Sequence, residues 1–262
     1  MFYAKKSLGQ NFLKSKQAVR SIITAGELTA TDTVLEIGPG KGVLTEEILK
    51  HAGRVIAIEK DSRLIETLRE KFAAEITAGK FQIIEGDILE TNITELGLAD
   101  HSYKLIANIP YYITGQIIRL FLESVTQPER MVLMLQKEVA DRIVARDNKE
   151  SILSMSVKIY GEPKYIEKVP AKYFSPEPNV DSAILLIKNI SKQNFASLSE
   201  ETFFKIIKTG FAHKRKQLVG NLSELYPRET ILKILEEEKI SPEIRAEDLN
   251  LNDWMRIIPK LS

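Results

Sequence analysis

Four consecutive residues, Asn108-Ile109-Pro110-Tyr111, combine what chemistry on an aromatic amine requires. The lone pair of such an amine is delocalised into its ring, so the nitrogen is uncharged yet a poor nucleophile. No strong base is needed. What helps is a pair of acceptors that grip the N–H bonds and favour a pyramidal nitrogen. The Asn108 side-chain oxygen and the Ile109 carbonyl can supply that pair. Pro110 stiffens the turn and offers no N–H of its own, and Tyr111 has a face on which a base turned out of its stack can rest. Alone, the same four residues are better read as a strand-ending turn with an aromatic plug.

Three acids and a glycine-rich turn favour the chemical reading. Glu36 is followed by Gly38-Pro39-Gly40-Lys41-Gly42, and glycines let backbone N–H groups close on a ligand at a helix N-terminus. The spacing is GxGxG rather than the GxGxxG of dinucleotide sites. An acid two residues before the first glycine suits a ligand carrying cations as well as a carboxylate, and S-adenosyl-L-methionine is such a ligand. Glu59 falls 21 residues after Gly38, close to the spacing at which an acid takes ribose hydroxyls. Asp87 follows a further apolar run and can accept an adenine amino group, although Gly-Asp after a strand is by itself more often a turn.

These residues need a sheet to bring them together. Apolar, β-branched runs predict parallel strands at 33–37, 54–58, 81–84, 103–107 and 131–135, alternating with helical patterns after residue 43 and at 62–74, 114–123 and 137–145. Two further runs, 164–169 and 183–188, read as an antiparallel hairpin at the sheet edge. At Asn189 the character changes: 191–199 is polar, and short helices follow at 201–209, 217–222, 230–238 and 251–258. The expected organisation is therefore an α/β domain over 1–190, with a basic arm at 1–20, and an all-helical domain over 191–262. Lys5 and Lys6 on the arm, and Lys214, Arg215 and Lys216 beside Phe211, are candidates for phosphate contacts. The plain alternative is that both charge runs are solvated.

Composition removes other classes. The chain of 262 residues has no cysteine, which excludes disulfides, thiolate metal sites and the covalent cysteine adduct usual in C5 methylation of pyrimidines. Its three histidines, His51, His101 and His213, form no ligand pair, and no metal is expected. With a net charge of +1, any nucleic-acid footprint must be local. No apolar run approaches the ~18 residues of a membrane span, and no secretory signal is recognisable, so a cytoplasmic, monomeric protein is expected.

Over nearly its whole length the chain resembles the ribosomal RNA adenine N6-dimethyltransferases. The resemblance is carried by Gly9-Gln10-Asn11-Phe12-Leu13, the turn from Glu36 to Gly42, Asn108-Ile109-Pro110-Tyr111, Leu135-Gln136-Lys137-Glu138-Val139 and the segment from Phe174 to Asp181. It implies a class I (Rossmann-like) methyltransferase: a seven-stranded, mostly parallel sheet with an antiparallel edge hairpin, plus a small helical RNA-binding domain. It implies S-adenosyl-L-methionine as cofactor, contacted by Asn11, Leu13, Glu36, Gly38, Gly40, Glu59, Asp87, Ile88 and Asn108. Phe174 would stack on the target base opposite Tyr111. The implied substrate is small-subunit (16S) rRNA in the small ribosomal subunit or its precursor, with two adjacent adenines dimethylated.

A relative that modifies large-subunit (23S) rRNA and confers macrolide resistance shares the Asn-Ile-Pro-Tyr-Tyr-Ile turn. Residues 174–182, 211–218 and 240–247 resemble the small-subunit type instead. A non-catalytic RNA-binding or ribosome-assembly factor on the same fold has no need of Glu59, Asp87 and Asn108 together. A DNA adenine or protein-glutamine methyltransferase leaves the basic arm and basic helical tail without a purpose.

Overall fold

The computed structural model describes residue 5 and residues 8–261. Nine strands are present among them: β1 (Phe12–Leu13), β2 (Thr33–Ile37), β3 (Arg54–Glu59), β4 (Phe81–Glu85), β5 (Tyr103–Asn108), β6 (Arg130–Gln136), β7 (Glu162–Val169), β8 (Phe174–Ser175) and β9 (Ser182–Lys188). Seven form one sheet in the order β4-β3-β2-β5-β6-β9-β7. The first five are parallel, and β9 pairs antiparallel with both β6 and β7. This is the expected class I architecture, with β9 inserted between β6 and the edge strand β7.

The central strands are apolar on both faces because helices cover both. Val34, Leu35, Val55, Ile56, Leu105, Ile106 and every residue from Met131 to Leu135 are essentially without solvent contact. Strand order reverses between β2 and β5, and crevices outside the strand C-termini at such a point are where α/β sheets bind ligands. Register settles what meets there. Ile37 pairs with Ala107, so the glycine turn after β2 and the Asn108 turn after β5 leave the sheet side by side.

Two elements of the N-terminal segment differ from the reading as a basic arm over 1–20. A helix runs over Lys16–Gly26, capped by the Ser15 hydroxyl, which accepts from the Ala18 N–H. Ala18, Val19, Ile22 and Ile23 are buried on its inner face, so Lys16 and Arg20 are the polar side of a packed helix. Before it, β1 pairs antiparallel with β8, matching Phe12 with Ser175 and Leu13 with Phe174.

The chain falls into two compact units, Met1–Ala140 with Glu162–Ile190, and Asp141–Gly161 with Ser191–Ser262. The boundary near 190 coincides with one crossing point, but residues 141–161 group with the helices. Within that second unit the Glu150 N–H donates to the Glu247 carbonyl at 2.8 Å and the Ser191 N–H to that of Tyr160 at 2.8 Å. Tyr160 also packs on Phe195 at 5.3 Å between ring centroids. The unit is built around Trp254, Phe203, Ile206, Ile207 and Leu222, all fully buried. Among the described residues no helix is long and apolar enough to cross a membrane.

Candidate active site

The first unit holds a cavity of about 310 Å³ at the C-terminal ends of β2, β3, β4 and β5, with the arm over residues 8–13 as a further wall. That volume is at the lower end of what small-molecule sites occupy. Of the residues expected from sequence, Asn11, Leu13, Glu36, Gly38, Gly40, Glu59, Asp87, Ile88, Asn108, Ile109, Pro110 and Tyr111 all line it.

The glycine turn is open where a ligand would need it. Gly38 has φ +65°, and a methyl group placed there would meet no protein atom within 4 Å. Gly40 has φ +60°, and the same addition would come 3.0 Å from the Phe12 ring of the arm. Lys41 completes this contact, its ammonium 4.9 Å from the Phe12 ring centroid.

Glu36 lies on β2 just before the turn, and its carboxyl is enclosed. One oxygen, Oε2, has no hydrogen-bond partner, and the buried Thr45 hydroxyl beside the carboxyl offsets the effect of burial only in part. Burial, reinforced by the nearby Glu59 carboxylate, pushes the Glu36 carboxyl up to about 8, so it is protonated at neutral pH. An enclosed carboxyl in the cavity wall can accept from a proton-bearing ligand group, and a cation bound beside it would draw it towards its ionised form. Glu59, at the tip of β3, accepts from the Gly40 N–H at 3.1 Å and from the Asp61 N–H at 2.8 Å, one bond per oxygen. Its carboxyl is also raised by burial, despite those two bonds. Each oxygen keeps a lone pair for a ligand hydroxyl. Asp87 pairs with the Lys60 ammonium at 2.5 Å and accepts from the Leu89 N–H at 3.0 Å, and the Lys60 contact lowers its pKa. Glycine turn, orphaned acid and ribose-type acceptor thus fit S-adenosyl-L-methionine.

At the Asn108 turn the amide has a defined orientation. Its Nδ2 donates to the Asn11 carbonyl at 3.1 Å, which commits the nitrogen and leaves Oδ1 as the amide's acceptor in a residue that lines the cavity. Ile109 is held from behind, its N–H donating to the Met134 carbonyl at 3.0 Å and its side chain buried. Tyr111 is half-buried and anchored by a 2.8 Å bond between its hydroxyl and Ser182 Oγ. Phe174 is not brought to the cavity. Its ring is 2% exposed in the core cluster that includes Leu13, and stacking on a base opposite Tyr111 would require it to leave that core.

The Lys5 ammonium lies 3.6 Å from the Asp61 carboxylate, and Lys6 lies outside the described residues. Lys214, Arg215 and Lys216 stand exposed in the turn between the helices Glu200–Gly210 and Leu218–Leu222, with no ion pair among the described residues. Sequence reasoning missed Gln10, Lys60 and Tyr112, all on the cavity wall. Gln10 stands inside a motif whose neighbour Asn11 draws the attention, and Lys60 follows Glu59 directly.

The ribosomal RNA adenine dimethylase profile matches residues 1–262. Ribosomal RNA small subunit methyltransferase A of Dehalococcoides mccartyi strain CBDB1 is 44% identical over 256 residues, covering 97% of this chain and 87% of that one. The protein of the same name from Fusobacterium nucleatum is 37% identical over 261 residues, covering 98% and 97%. Among solved structures, 23S rRNA methyltransferase ErmE superposes with a TM-score of 0.80 at 26% identity, covering 96% of this chain and 99% of the other. A dimethyladenosine transferase from Plasmodium falciparum does so with a TM-score of 0.80 at 27% identity, covering 94% and 95%.

Proposed function

The chain belongs to the ribosomal RNA adenine dimethylase family, and on that premise we propose how its cavity works. The protein is an S-adenosyl-L-methionine-dependent methyltransferase that dimethylates the N6 amino group of adenines in small-subunit ribosomal RNA. The 23S alternative is not favoured. Relatives at 37–44% identity carry the small-subunit name, whereas the 23S enzyme is 26% identical. In our reading two adjacent adenines are modified, and the enzyme acts as a cytoplasmic monomer on the small subunit or its precursor.

The observation that carries the site assignment is the orientation of Asn108. Its nitrogen is committed to Asn11, so its oxygen is the group left to accept an N–H of the target amine. The Ile109 carbonyl takes the second N–H, and the Tyr111 ring, steadied by Ser182, supports the base. When bound, the cofactor supplies a methyl group on a sulfonium that already carries the leaving-group charge. The protein's part is accordingly alignment and electrostatics, and no ionised base is required. Glu59 holds the ribose hydroxyls, Asp87 and Ile88 the adenine end, and Gly38 admits the ligand backbone close to β2. In the helical unit Lys214, Arg215 and Lys216 grip rRNA phosphates.

The test is single-turnover methylation of unmodified small subunits at saturating cofactor, read as N6,N6-dimethyladenosine by nucleoside mass spectrometry. Asn108→Ala is expected to lose roughly 10²–10³ in rate, the scale of one preorganised acceptor, while RNA affinity stays. A wild-type rate from that variant would remove Asn108 from the chemistry.

A further inference from the structure

One polar contact carries the arm onto the cavity. The Gln10 side chain donates from Nε2 to Asp61 Oδ2 at 2.8 Å, and its Oε1 accepts the Lys5 backbone N–H at 2.8 Å. Asp61 is the N-cap of the helix Ser62–Lys71, and its side chain has no solvent contact. Arg63 wraps it, with Nε 2.8 Å from Oδ1 and Nη2 2.6 Å from Oδ2. That guanidinium holds the Asp61 carboxyl well below the usual range, so its charge persists.

Asp61 also reaches the other way. Its backbone N–H donates to Glu59 Oε1 at 2.8 Å, and Glu59 Oε2 accepts from the Gly40 N–H at 3.1 Å. Hydrogen bonds therefore run without a break from the arm through Asp61 and Glu59 into the glycine turn. The residue after Gln10 makes the second connection, because Asn11 is the one whose carbonyl orients Asn108. Arm position thus bears on the ribose acceptor and on the acceptor for the target amine at once.

We propose that Gln10 is a positioning residue: its contact with Asp61 latches the arm over the cavity and so sets Glu59 and Asn108 for cofactor and substrate. The inference rests on reading the cavity as the S-adenosyl-L-methionine site. A carboxamide suits the place, because it must offer a donor to a buried carboxylate and an acceptor to a backbone N–H. Leucine offers neither, and glutamate when ionised sets a second negative charge against Asp61. The charged groups facing position 10 are Asp61, Lys5, Arg63 and, one bond further, Glu59.

The experiment measures cofactor affinity and dissociation rate for the full chain and its variants Gln10→Leu and Gln10→Glu, by calorimetry and stopped flow across pH. Gln10→Leu is expected to bind about ten-fold more weakly at every pH, chiefly through faster dissociation, as befits removal of a bond to a charged group. Gln10→Glu is expected to bind more weakly still at pH above its carboxyl pKa. Its affinity relative to wild type then recovers as pH falls, because the protonated carboxyl donates to Asp61. A merely structural role would not produce that recovery in one variant and not the other, and the comparison holds even if both variants melt earlier. Wild-type affinity in both variants at all pH values, or equal losses without a pH-dependent difference, overturns the latch. Failure of the wild-type protein to bind S-adenosyl-L-methionine would overturn the cofactor reading, and the latch with it.

Discussion

Replacing Glu36 by glutamine tests the least ordinary group in the cavity. The carboxyl is 1% exposed, with one oxygen unpartnered, and burial lifts it from the ordinary 4.5 to about 8. Between those values the folded protein holds a proton that the unfolded chain has released, so raising the pH favours unfolding. Stability attributable to Glu36 is therefore fully present below 4.5 and is lost as pH rises to about 8, beyond which the curve flattens. The slope in that window is about 1.4 kcal/mol per pH unit, and the whole loss is bounded by about 5 kcal/mol. Glutamine is nearly isosteric and cannot ionise. Its own cost of burial is constant with pH, and the raised Glu59 is common to both proteins. Urea unfolding of each, without cofactor, should show the glutamine variant gaining on wild type by at least about 2 kcal/mol between about pH 5 and about pH 8. Parallel curves, within about 0.5 kcal/mol across that range, would mean that Glu36 is ionised in the folded state and that its environment is wetter than described.

Glu59→Ala removes the charge-assisted acceptor of the ribose hydroxyls, worth about 1.5–3 kcal/mol. Calorimetry should show cofactor affinity falling at least about ten-fold with RNA affinity little changed, and an unchanged cofactor affinity would take Glu59 out of the site. Tyr111→Ala should cost about 1–3 kcal/mol of base stacking in single-turnover methylation. Tyr111→Phe, which gives up only the Ser182 bond, should stay near wild type; equal damage from both would mean that the hydroxyl, not the ring, matters. Replacing Lys214, Arg215 and Lys216 together with alanine should flatten the salt dependence of rRNA binding by about 0.7–0.9 for each phosphate no longer neutralised. Filter binding across potassium chloride concentrations measures this, and an unchanged slope would leave the three cations as solvated surface.

Much of the sheet is legible because its strands are local facts: each is an apolar, β-branched run ended by a turn, and alternation with helices implies parallel pairing. The acids at 36, 59 and 87 and the turn at 108 are legible for the same reason, since each lies at or just beyond the C-terminal end of such a run. What is not legible depends on partners far along the chain. Phe174 occupies a two-residue strand whose mate is Leu13, and no local period announces that its ring turns into the core. Residues 141–161 read as a continuation of the α/β domain, yet the Glu150 N–H bonds to residue 247. The helix at Lys16–Gly26 is within reach of sequence, through the Ser15 cap and the spacing of Ala18, Val19, Ile22 and Ile23. Its two lysine and arginine side chains at 16 and 20 mask that spacing behind a run of charge. Nor does sequence show that the Glu36 carboxyl is sealed, because burial is a property of what surrounds a strand.

The carbonyl of Asn11 restricts which residue can stand at position 108. A carbonyl can only accept, so the group facing it must carry a proton, and the amide of Asn108 meets that demand while keeping its oxygen free. An aspartate there would offer the target amine an equally good acceptor, with extra negative charge to draw on. Its other oxygen, however, would confront the Asn11 carbonyl with no hydrogen between them, and the two lone pairs would repel. The arm therefore acts as a chemical filter on the site it covers, admitting an amide and rejecting its acid, although the two differ in shape by almost nothing.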